Sequence, residues 1–147
     1  MRTMRHADAY AEYRASLVVL REHEPIRWDA MCAAMAAGQW HDAARYLSTI
    51  VGVPVEIPAD ARDPRAEFRK HAVHLNQVFA EKEKGGLDPY QIACFHALTG
   101  DTELAFAALG RAEDSMSSMF AFVDPRFDSI RNDRRFIAQL VRLGLMR

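Results

Sequence analysis

Apolar residues along this chain recur mostly at intervals of three and four, the period of helices buried along one side. Across residues 8–23, Tyr10, Tyr13, Leu17 and Leu20 fall on one face, and Val18 and Val19 widen it. Glu24-Pro25 ends that run, because the residue before a proline avoids helical geometry. An alanine-rich helix is predicted over 28–37, closed by Gly38. Another is predicted over 39–51, with Ala43, Ala44, Leu47 and Ile50 facing inward. Residues 53–64 hold three prolines and read as a linker; the alternation of Val53, Val55 and Ile57 suits a short extended piece packed on the helices. The pattern predicts the longest helix over 65–84, with Phe68, Ala72, Leu75 and Phe79 on one face and a charged last turn, broken by Gly85-Gly86.

Residues 88–112 read as two short helices folded back on each other. Asp88 can cap the first, and Pro89 suits its first turn. Ile92, Ala93, His96 and Ala97 give that helix an apolar face. Gly100 makes the turn, since glycine enters left-handed geometry without a Cβ penalty. Asp101 or Thr102 starts the return helix, whose Ala105, Ala108, Leu109 and Ala112 face inward and which is expected to run on through Ser117 toward Phe122. Small residues at such an interface let two helices approach closely. Asp124-Pro125 then starts a short helix carrying Phe127 and Ile130. Asn132-Asp133 caps a last one with Phe136, Ile137, Leu140, Val141 and Leu143, and Gly144 ends it. No segment has the pattern of a sheet.

A shift of 62 residues lays Gly38 on Gly100, Trp28 on Tyr90, Ala30 on Ile92, Cys32 on Cys94, Ala43 on Ala105 and Leu47 on Leu109. An aromatic opens each hairpin, glycine turns it, and alanine then leucine pack the return helix. With Ala93, Gly100, Ala105 and Ala112 at the four small-residue places, this hairpin resembles the tetratricopeptide repeat family. The first hairpin matches at Gly38 and Ala43 and departs at Met31 and Ile50. The shift is also short of two family periods of about 34 residues. The tail is similar to the ends of bacterial tetratricopeptide regulators, through Asp124, Pro125, Phe127, Ile130, Arg131, Asp133, Arg135 and Phe136. The resemblance covers residues 85–147 well and 26–52 loosely. It implies an all-α fold of antiparallel helical hairpins, an α-α superhelix or a compact bundle of about seven helices. The expected division of a single domain over 1–147 is an N-terminal helix (1–25), a first hairpin (26–52), a linker (53–64), a long helix (65–84), a second hairpin (85–122) and C-terminal capping helices (123–147).

Charge and cysteine content narrow the class. A chain of 147 residues can bury a core without staples. A net charge of -1 gives no general field for nucleic acid or an anionic membrane. Cys32 and Cys94 make no disulfide framework, so a cytoplasmic, reducing setting is expected. No apolar run approaches membrane-spanning length, and the first residues lack the apolar core of a signal peptide. The start at Met1 and a self-contained first helix favour a separate chain over a detached tail of a larger signalling protein.

Candidate chemistry is sparse. Glu67, His71 and His74 have a spacing that metal sites use, but they flank the Phe68–Phe79 stripe and no paired Cys or HExxH pattern supports them. Cys94 and His96 point apart on a helix, which leaves no thiolate–imidazole pair. Arg126, Arg131, Arg134, Arg135 and Arg142 alternate with Asp124, Asp128 and Asp133, a pattern of caps and local ion pairs rather than an unopposed nucleic-acid patch. Met116, Met119, Phe120 and Phe122 are expected to pack against the final helix. In the resembled family the first helix of each hairpin lines the concave surface, which implies that Trp28, Cys32, Met35, Tyr90, Cys94 and Ala97 line one groove. The expectation is a protein–protein interaction module, an adaptor or accessory subunit that holds a peptide or partner helix. It carries no catalytic residues and no cofactor, and a homo-oligomer fits it as well. The alternative is a small-ligand or metal-binding sensor or small enzyme that uses the His, Cys and aromatic residues.

Overall fold

The computed structural model describes the backbone of residues 2–19, 24–114, 120, 121 and 123–147, and the side chains of these apart from residues 2–4, 17–19, 24 and 25. It is all-helical, with no strand among the described residues. In chain order the helices are α1 (Arg2–Val19), α2 (Glu24–Ala36), α3 (Trp40–Val51), α4 (Pro64–Ala72), α5 (Asn76–Lys84), α6 (Pro89–Thr99) and α7 (Thr102–Arg111), then a 3-10 helix (Pro125–Ile130) and α8 (Arg134–Arg142). The chain forms two compact units, Met1–Asn76 and Gln77–Arg147. In the first, α2 packs between α1 and α3, and α4 packs on α3; in the second, α6 packs on α7 and on the 3-10 helix, and α8 packs on α7.

The two hairpins share one turn. Gly38 has φ 77° and Gly100 has φ 85°, left-handed values that glycine adopts without a Cβ penalty. At the first turn the Gly38 amide donates to the Met35 carbonyl (3.1 Å) and the Gln39 amide to the Ala34 carbonyl (2.8 Å). At the second, the Gly100 amide donates to Ala97 (3.3 Å) and the Asp101 amide to His96 (2.9 Å). These are equivalent bonds at the 62-residue shift, and each satisfies carbonyls that a helix end otherwise leaves open. The return helices then open alike, with Ala43 donating to Gln39 and Ala105 to Asp101, both at 3.0 Å. Burial follows the same register: Trp28 and Tyr90, Cys32 and Cys94, Ala43 and Ala105, Leu47 and Leu109 are all buried.

The likeness extends past the hairpins. Each unit carries an Asp-Pro-Arg triplet that starts a helix: Asp63 caps α4 by accepting from the Ala66 amide (3.0 Å), and Asp124 caps the 3-10 helix by accepting from the Arg126 amide (3.0 Å). Between α3 and α4 the linker lies against helices through specific bonds. Val55 is buried, and its amide donates to Ser48 Oγ (2.8 Å); His41 Nε2 donates to the Pro58 carbonyl (3.2 Å).

Two expected spans differ. The helix predicted over 65–84 is two helices, α4 and α5, separated at Val73–Leu75. The break has no glycine or proline. Val73, His74 and Asn76 are weak helix formers, and the chain steps through three-residue bonds, His74 to His71 and Leu75 to Ala72 (both 3.1 Å). That step buries Leu75 and leaves Val73 exposed. The return helix of the second hairpin stops at Arg111 instead of running toward Phe122, with Gly110 weakening its last turn. Ser117, Met116, Met119 and Phe122 lie outside the described residues, as do the side chains of Leu17, Val18, Val19 and Leu20 and the expected helix end at His23. Phe120, expected to pack inward, is 65% exposed.

Two glycines test this reading in opposite directions. No atom lies within 4 Å of a Cβ built at Gly38 or at Gly110, so any penalty there is conformational. Gly38→Ala is expected to destabilise by about 1 kcal/mol because of its positive φ. Gly110→Ala, in exposed helix, is expected to stabilise by up to about 1 kcal/mol. Urea denaturation of both variants measures the difference.

Candidate functional site

The one carboxylate buried among the described residues, Asp124, anchors a polar cluster in the second unit. α6 supplies Tyr90 and Gln91 from its first turn and Cys94 one turn on, and the Asp-Pro-Arg triplet supplies Asp124 and Arg126. The Tyr90 hydroxyl donates to Asp124 Oδ2 at 2.7 Å. The Arg126 guanidinium grips the same carboxylate through Nε (3.0 Å to Oδ1) and a terminal nitrogen (2.8 Å to Oδ2), and reaches Gln91 Oε1 at 3.2 Å. Arg131 donates to the Asp124 backbone carbonyl at 2.7 Å. The Tyr90 ring meets Phe127 edge-on with centroids 5.4 Å apart, and Phe127 continues the aromatic contact to Phe136 of α8 at 5.9 Å.

Electrostatics mark this cluster as a clasp. Burial alone pushes the Asp124 carboxyl up, but the bonds from Arg126 and Tyr90 reverse that and hold it below the usual carboxylate range. Burial, with Cys94 and Asp124 beside it, pushes the Tyr90 phenol well above its ordinary value. The acid is therefore ionised and the phenol protonated across the physiological range. Neither is poised near neutrality, as a general acid or base must be. The Cys94 thiol donates a long contact to Asp124 Oδ2 at 4.0 Å. No buried side-chain nitrogen or oxygen among the described residues lacks a partner. What the cluster does is fasten the segment after the hairpin to the start of the hairpin.

The six residues expected to line a groove are all buried: Trp28 (1% exposed), Cys32, Met35, Tyr90, Cys94 and Ala97. The groove expectation is corrected on physical grounds. Residues 30–35 of α2 and 92–97 of α6 are buried without interruption, so neither stretch turns a face to water. Cys32 and Cys94 are both free thiols. Gly38 and Gly100 make the turns assigned to them.

The weak metal candidates do not converge. Glu67 pairs with Lys70 at 2.7 Å, His71 Nε2 donates to the Glu56 carbonyl at 3.0 Å, and His74 is exposed. No group of three potential ligands is assembled among the described residues. No helix among them is long and apolar enough to cross a membrane. A surface depression at the end of α3, lined by Arg45, Ser48, Thr49 and the following turn, offers little chemistry: the Ser48 hydroxyl is already bonded to the Ala44 carbonyl (2.8 Å) and the Val55 amide (2.8 Å).

Two features escaped the sequence reading. The Tyr90–Asp124–Arg126 clasp had a signal, the repeated Asp-Pro-Arg triplet, together with the rule that a buried tyrosine hydroxyl finds a partner. His96 had none. It lies buried against Phe79 and Phe95, with ring centroids at 6.0 and 5.5 Å. Burial lowers its pKa to about 4; Asp101 opposes that shift and Arg111 adds to it.

Two outcomes are expected. Tyr90→Phe leaves Asp124 held by Arg126 and is expected to cost about 1 kcal/mol, whereas Arg126→Ala strands a buried carboxylate and is expected to cost about 3 kcal/mol or more. Denaturation of the two variants against the parent checks the order. His96 is depressed below its unfolded value of 6.5, so the unfolded chain binds more protons as the medium acidifies. The neutral imidazole's contribution is complete above pH 6.5 and falls away as pH drops toward about 4, by up to about 1.4 kcal/mol per pH unit. Stability measured at several pH values in this window checks it, and His96→Phe is expected to flatten the slope.

Comparison with protein-family models, with curated proteins and with solved structures found no match for this chain, so its all-helical hairpin architecture stands on its own sequence and geometry.

Proposed function

We propose that this chain is a tetratricopeptide-like protein–protein interaction module of the cytoplasm, a small adaptor or accessory subunit that holds a peptide or helix of a partner. The observation that carries this reading is the repetition of one hairpin, with equivalent turn bonds, at a 62-residue shift. Repeated helical hairpins give a rigid support whose outer surface can vary while the core is kept. The chemistry of the interior points the same way. No buried side-chain nitrogen or oxygen among the described residues lacks a partner, both thiols are buried, and Asp124 and Tyr90 are shifted away from neutrality. Because the first helix of each hairpin is buried, partner binding belongs to exposed side chains and not to Trp28, Tyr90 or their neighbours.

Cross-linked affinity capture of the tagged chain from its native lysate tests this reading. The expected result is a stoichiometric protein partner, with a melting temperature unmoved by zinc or by a metabolite pool. A melting temperature raised by several degrees on adding zinc or metabolites, with no protein captured, would overturn the module reading in favour of a ligand or metal sensor.

A further inference from the structure

We draw no further inference here: the strongest candidate, the side-chain cluster in which buried His96 of α6 meets Phe79 of α5 beside the Arg111–Glu83 ion pair, carries no acid-operated release of α5, because the lowered pKa of the imidazole is its sole support and that acid sensitivity is already described.

Discussion

A helix with no polar side must be covered all round, and this constraint organises both units. α2 and α6 carry apolar or small residues in nearly every direction, and their middle turns are buried without interruption. Leaving either face in water would expose residues whose burial drives folding. Within its unit, α2 is flanked by α1 and α3, and α6 by α7 and the 3-10 helix. Alanine is common at these contacts because a covered helix needs close neighbours on several sides at once. The left-handed glycines follow from the same demand, since a return helix can lie against α2 or α6 only if the chain reverses within about two residues.

Polar groups inside such a core are tolerated when they are paired, and the Asp124 clasp shows how. An ionised carboxylate taken from water needs both a cation and hydrogen bonds. Arg126 supplies the cation and two of the bonds, and Tyr90 supplies another from a different helix. The result ties a segment that lacks regular α-helix to the opening of a hairpin more than 30 residues earlier in the chain. Arg131 at the Asp124 carbonyl and Ser129 at the Ala97 carbonyl (3.2 Å) extend the fastening along the 3-10 helix. A network so fully used for holding has no free group left for chemistry.

The interior and the surface divide their roles. Aromatic residues open the hairpins, but they are spent on internal contacts such as Tyr90 with Phe127. Exposed apolar side chains lie instead at the margins, on the outer face of α8 and at Phe120 and Val123. A repeat-like support with recognition on its exterior fits this division, because surface residues change without disturbing a core whose volume is fixed.

Helical period, turn glycines and caps were all legible in the sequence, because each is a local requirement of the backbone. Gly38 and Gly100 had to turn, Asp88, Asp124 and Asp133 had to satisfy helix-end amides, and the 62-residue shift put equivalent bonds in both hairpins. Tertiary packing decided the rest. It buried Leu75 at the break in residues 65–84, where weak helix formers already let the chain step. It buried Trp28, Cys32, Met35, Tyr90, Cys94 and Ala97, since the side of a helix that meets a neighbour depends on helices distant in sequence. It also turned Ile137 and Val141 outward, although their spacing suits a core face equally well. A periodic pattern states that a helix has an apolar side; only the packed chain decides whether that side is covered.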